Sequence, residues 1–151
     1  MEMINRLLNK KYYIIDYLPM QVPKDSEGQF FEVESYLLNN MERYGLQDRF
    51  VSIILKVMCY YSTSVLIKEE WTEQPSPDVM VTIVERMMKN HSGTMNVLLP
   101  EKDVLLVVDG DCLNMTVYNP DDELCILLKD IAASEGMFFR KGLDDADDDN
   151  V

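Results

Sequence analysis

Between Thr94 and Tyr118 three apolar runs follow one another closely: Asn96 to Leu99, Val104 to Val108 and Leu113 to Tyr118. Each is rich in β-branched and aliphatic residues. Asp109-Gly110 stands between the last two, and that dipeptide supplies the positive φ angles of a two-residue type I′ turn. Such a turn pairs Val108 with Asp111, Leu106 with Leu113 and Val104 with Met115, so the apolar residues fall on one face. A chain carrying this segment is committed to an antiparallel sheet.

The rest of the sequence adds strands and helices to that hairpin. Lys11 to Leu18 is aromatic and β-branched and stops at Pro19, which reads as a strand. After a Pro- and Gly-containing connection, Phe30, Val33, Leu37, Met41 and Tyr44 recur at helical spacing. Gly45 interrupts the pattern, and Leu46, Phe50, Ile53, Ile54 and Val57 resume it. Tyr60 to Ile67 returns to strand composition, and Glu69 to Pro77 reads as a polar loop. Ser76 as cap, Pro77 at the first position and Asp78 in the first turn open a helix whose inward face carries Met80, Ile83, Val84, Met87 and His91, with Gly93 ending it. Asn119 and Pro120 open another, lined by Leu124, Leu127, Leu128 and Ile131 and closed by Gly136. The expected architecture is one α+β domain over residues 1–143. Its mainly antiparallel sheet has five strands (11–18, 62–67, 95–99, 103–109 and 112–118), with 137–140 available as a sixth. About four helices cover one face, since alternating hairpin and crossover connections argue against a doubly wound parallel sheet.

Charge narrows the range of partners. The 151 residues carry 27 acids and 14 bases, a net charge of −13. Five of the acids (Asp144, Asp145, Asp147, Asp148 and Asp149) crowd the last eight residues, which read as a disordered acidic tail, 144–151. The remaining 22 acids still outnumber all 14 bases, so the body is itself acidic. A field of that sign repels phosphate backbones and anionic lipid and attracts basic proteins. Nucleic acid and membrane are therefore not expected partners. The longest apolar runs are far too short to span a bilayer, and Glu2, Asn5 and Arg6 break the N-terminal segment, which reads as cytoplasmic. Three cysteines, Cys59, Cys112 and Cys125, without a C-x-x-C pair, read as reduced thiols packed as small hydrophobes.

No phosphate-binding glycine loop, nucleophile elbow or cysteine-protease signature occurs, and His91 is the only histidine, so no zinc-binding histidine pair can form. No cofactor is expected. The eleven methionines fall mostly at core-facing positions. Asp109 and Asp111 flank a flexible glycine, with Asp121 and Asp122 further on. Two such carboxylates could serve a metal-assisted hydrolase, but a hairpin turn and a helix start account for the same residues without a metal. The remaining candidate is Glu69-Glu70-Trp71-Thr72-Glu73, where the only tryptophan stands among acids. Glu69, Glu70, Trp71 and Glu73 together suit a contact with a basic protein, Trp71 as anchor and the acids as steering charge; a tryptophan closing the edge of the core is the plain alternative. In size, charge and fold class the profile is similar to the small acidic immunity proteins that inhibit bacterial toxins, a likeness carried by no residue motif. It implies a non-catalytic regulator of a basic partner.

Five aspartates in eight residues repel one another and bring no apolar area to bury. Truncation after Leu143 is therefore expected to leave the thermal midpoint within about a degree of the full chain in a calorimetric scan; a fall of several degrees, the scale of about 1–2 kcal/mol, would show that the tail packs on the body.

Overall fold

The apolar runs pair into one antiparallel sheet that is buried on both sides at its centre and exposed at its margins. A computed structural model describes residues 1–111 and 113–142. Cys112 and the acidic tail lie outside the described residues. In chain order the elements are α1 (Glu2–Leu7), β1 (Tyr12–Asp16), a 3-10 turn (Lys24–Ser26), α2 (Glu27–Asn39), α3 (Met41–Tyr44), α4 (Leu46–Met58), β2 (Ser64–Ile67), β3 (Glu70–Glu73), α5 (Pro77–Asn90), β4 (Thr94–Leu99), β5 (Val104–Asp109), β6 (Asn114–Tyr118), α6 (Asp122–Ser134) and β7 (Phe138–Lys141). The strand order is β3-β2-β4-β5-β6-β1-β7, and every neighbouring pair is antiparallel.

The α+β class and the antiparallel sheet agree with the sequence pattern, but the sheet has seven strands rather than five or six. The additional one is β3, which the sequence presents as a polar loop. Lys68 takes a left-handed φ of 55°, and Lys68-Glu69 closes a tight hairpin that sets Ile67 opposite Glu70 and Leu66 opposite Trp71. A lysine at a positive-φ turn position gives no warning in sequence, because Asn or Gly is the usual signal.

Helices also cover both faces, not one. On the main face, α4, α5 and α6 bury Phe50, Ile54, Met80, Val84, Leu124 and Leu128 against Ile15, Val65, Val97, Leu106, Val108 and Met115. On the opposite face α1 sets Ile4 and Leu7 against Leu66, Leu98 and Leu105. Leu7 is completely buried, and such a side chain contributes roughly 2 kcal/mol by leaving water. The cover is needed because Leu98-Leu99 and Val104 to Leu106 are continuous apolar runs, which point alternately to both faces.

Helix boundaries follow local chemistry with two corrections. Ser76 caps α5 through its hydroxyl, which accepts from the Val79 amide at 3.2 Å, and Pro77 occupies the first turn. The cap of α6 is Asp121, which accepts from Leu124 N–H at 2.8 Å, not Asn119. Asn119 sits at φ 66° and donates its side-chain amide to the Asp103 carbonyl at 2.9 Å. The first long helical pattern is broken at Asn40, so Met41 turns inward while Val33 and Tyr44 turn out.

The Asp109-Gly110 pair does not form a type I′ turn. The ladder sets Val108 opposite Met115 and Leu106 opposite Val117, four residues away from the expected register. An even slip preserves the faces, so Val104, Leu106, Val108, Leu113, Met115 and Val117 all remain buried in the main core. Asp109 instead extends β5 alongside Thr94, and the Gly110 amide donates to the Gly93 carbonyl at 2.9 Å. Gly110 is required for close approach: an added Cβ would stand 2.6 Å from the Ser92 carbonyl oxygen and 2.7 Å from that of Met87. Both are backbone atoms, held by the end of α5 and the start of β4, and cannot swing away.

Gly110→Ala is accordingly expected to lower the thermal midpoint by about 5–10 °C, on the scale of 2–3 kcal/mol, and Gly110→Val by more. Gly28 in α2 would meet nothing within 4 Å, so Gly28→Ala should raise stability by about 0.5 kcal/mol. Calorimetry on the two alanine variants checks both signs.

Candidate functional site

Register fixes where the four sequence-selected residues point. Trp71 lies opposite Leu66, and the same row crosses the sheet through Asn96, Val107, Thr116, Ile14 and Arg140. Trp71 therefore stands on the α1 side of the sheet, at its margin. Glu73, two residues on, shares that face at about 6.6 Å along the strand; Glu70 and Thr72 point to the other face, and Glu69 belongs to the turn. The structure brings Trp71 and Glu73 together and sends Glu70 away, so the acids do not ring the indole. All four β3 residues are exposed, and Trp71 retains 42% of its accessible surface. Leu66 beside it is almost fully covered by α1, so Trp71 borders a closed apolar layer without being absorbed into it.

The charges are unevenly distributed between the two ends of the strands. Glu69 and Glu70, Asp109, Asp111 and Asp16 all stand at the end where β3 begins and β5 and β1 finish. At the opposite end, Arg6 donates to Asp103 at 2.8 Å and Lys102 to Asp121 at 2.6 Å. These bonds hold Asp103 and Asp121 below the usual carboxylate range. At the acid-rich end Arg140 pairs with Asp16 at 2.9 Å. Glu34 of α2 is pushed above the usual range by burial first, then by facing Asp16 and Asp111. The Tyr17 phenol is pushed up to about 12 by burial, with Asp16 and Glu34 adding to it.

Asp109 and Asp111 are not drawn into a shared site. Asp109 accepts from the Thr94 hydroxyl at 2.6 Å, Asp111 is exposed beyond the strand, and Asp121 serves as helix cap and partner of Lys102 at the far end of the sheet. Among the described residues, no three of His, Cys, Asp and Glu are gathered as a metal ion would need. His91, expected on the inward face of α5, is its exposed C-cap at φ 50°. Cys59, expected to be buried, is exposed at the end of α4, and Cys125 is half-buried with its thiol pushed up by burial.

No protein-family model, curated protein or solved structure matches this chain.

One surface was hidden from sequence reasoning. Periodicity puts Phe30, Val33, Leu37, Met41 and Tyr44 on the inward stripe of α2–α3, yet Val33 and Tyr44 are exposed, and beside them Phe31 is 57% exposed and Tyr36 47%. The Tyr36 and Tyr44 hydroxyls lie 3.0 Å apart and their rings meet edge to face. A shallow hollow of about 640 Å³ runs along this helix past Gly28, Phe31, Glu32, Ser35 and Tyr36. Two others, about 320 and 380 Å³, lie between α3 and the end of α5 and beside Tyr60. Neither Asp109 nor Asp111 lines any of the three.

Because Glu34 has a raised folded-state pKa, its contribution favours the fold below the ordinary glutamate range and is lost as pH rises through the folded value. Glu34→Gln is expected to raise the thermal midpoint at pH 7 by about a degree or two, with the gain disappearing below about pH 4. Melting curves across that range check it; equal gains at both ends would show that charge is not the cause.

Proposed function

We propose that this domain is a non-catalytic protein-binding regulator whose partner is basic, and that it makes contact through Glu69, Glu70, Trp71 and Glu73. The observation that carries this reading is the exposure of Trp71 on a terminal strand whose every residue faces solvent. A large aromatic half out of water beside carboxylates suits a contact in which the indole is desolvated at the centre while the acids remain at the rim. The acidic excess of residues 1–143 extends the attraction beyond contact distance. The surface of α2 and α3 favours a second reading, in which the same kind of partner seats on Phe31 and Tyr36.

A basic partner captured at low salt should bind with an association rate that falls steeply as salt rises, while the dissociation rate changes little. Trp71→Ala should cost about 2 kcal/mol, roughly thirtyfold in Kd, and Glu69→Lys or Glu73→Lys should mainly slow association. Surface plasmon resonance on folded variants measures both rates. Affinity indifferent to salt and to Trp71→Ala would remove the proposal; loss with Tyr36→Ala but not Trp71→Ala would move the contact to α2.

A further inference from the structure

The backbone of β3 offers more than its side chains. The Gln74 amide donates to the Thr63 carbonyl at 2.8 Å, which makes residues 63 and 74 a hydrogen-bonded pair one step beyond the ladder that sets Ser64 opposite Glu73 and Leu66 opposite Trp71. In an antiparallel pair such positions alternate with positions whose amides and carbonyls point the other way. Thr72 and Glu70 therefore bond inward to β2, and Trp71 and Glu73 turn their N–H and C=O groups outward. β3 is the terminal strand of the sheet. Trp71 and Glu73 thus present, at one edge, two backbone donors, two backbone acceptors, an indole and a carboxylate.

We infer that β3 receives an extended, basic segment of the partner as an additional strand, hydrogen-bonded to the backbone of Trp71 and Glu73. The inference rests on the protein-binding reading above and names its mode and the chemistry of the segment. Strand addition supplies affinity through main-chain bonds and specificity through alternate side chains. The edge selects against a second copy of this chain: with Glu69, Glu70 and Glu73 on each strand, two such edges would bring like charges together, which is how natural edges avoid self-pairing. A segment with lysine or arginine at alternate positions turns them all to the α1 side, where one meets Glu73 and the aliphatic stem of the next lies on Trp71. Gln74, at φ 45°, and the Lys68-Glu69 turn limit the receiving edge to these few residues, so the added strand is short and its hold depends on charge.

The test uses the full chain and two capped peptides of about eight residues alternating lysine with valine, one unmodified and one N-methylated at every second amide so that its charge is kept and its strand-pairing edge is lost. Strand addition is expected to slow amide hydrogen exchange at Trp71 and Glu73 by about tenfold with the unmodified peptide at saturation, and to leave the N-methylated peptide unbound. Glu73→Pro, which removes an outward N–H and no bond to β2, should lose about tenfold or more in affinity where Glu73→Gln loses a fewfold. If Glu73→Pro lowers the thermal midpoint, the exchange measurement on the unaltered chain still decides. Equal binding of both peptides, weakened by Trp71→Ala, would overturn strand addition and leave the protein-binding reading standing. Peptide binding unmoved by Trp71→Ala would overturn strand addition and the Trp71 contact together, and no binding by either peptide would overturn strand addition while the salt and Trp71→Ala measurements on the captured partner decide the protein-binding reading.

Discussion

Burial of β4 and β5 on both faces is the constraint from which the rest of the structure follows. Val97, Leu98 and Leu99, like Val104, Leu105 and Leu106, are buried in succession, and successive strand residues point to opposite faces. One layer of helices cannot cover such strands. The main core takes α4, α5 and α6, and the six residues of α1 have to close the other side over Leu66, Leu98 and Leu105. The Arg6–Asp103 pair ties α1 to the loop before β5, but it is an exposed ion pair and therefore weak. The apolar contacts of Ile4 and Leu7 hold the helix.

Because α1 is short, the second face is closed only in part. Asn96, Thr116 and Asn114 lie half-buried on it, as does Arg140, which bonds the buried Asp16; antiparallel sheets allow this when one side meets water. Polarity replaces helical cover in that region. The sheet margins follow the same logic, since β3 exposes Glu70 and Glu73, while β7 is tied to β1 by the Arg140–Asp16 pair and by Tyr13 stacked on Phe139 at 5.0 Å. Of the two terminal strands, β3 is the one whose four residues are all exposed.

Electrostatics then distinguishes the two ends of the strands. At one end Arg6 pairs with Asp103 and Lys102 with Asp121, and at the other Arg140 pairs with Asp16 while Glu34 faces Asp16 and Asp111. Glu34 and Tyr17 are raised there by burial first, and the neighbouring carboxylates add to it. A fold optimised for stability alone would intersperse the signs.

Much of the fold was legible in the chain because its signals are local. Ser76-Pro77 opened α5 where expected, the apolar periodicity of α4 and α6 named their buried faces, and β1, β4, β5 and β6 fell within a residue or two of their pattern limits. Trp71 and its neighbouring glutamates could be selected by composition alone. Tertiary structure decided what depends on distant backbone. The hairpin register was set by β5 pairing with β4 as far as Gly93, which turned Gly110 from a turn former into a point of close contact with Met87 and Ser92. The break at Asn40 left Val33 and Tyr44 exposed despite their helical spacing. Glu70 to Glu73 became a strand because β2 offered an unpaired edge, and a four-residue segment with two glutamates has too little intrinsic preference to announce that pairing. Sequence determines which side chains are apolar, charged or cap-forming; which of them meet, and which edge is left open, is determined by pairing between segments far apart in the chain.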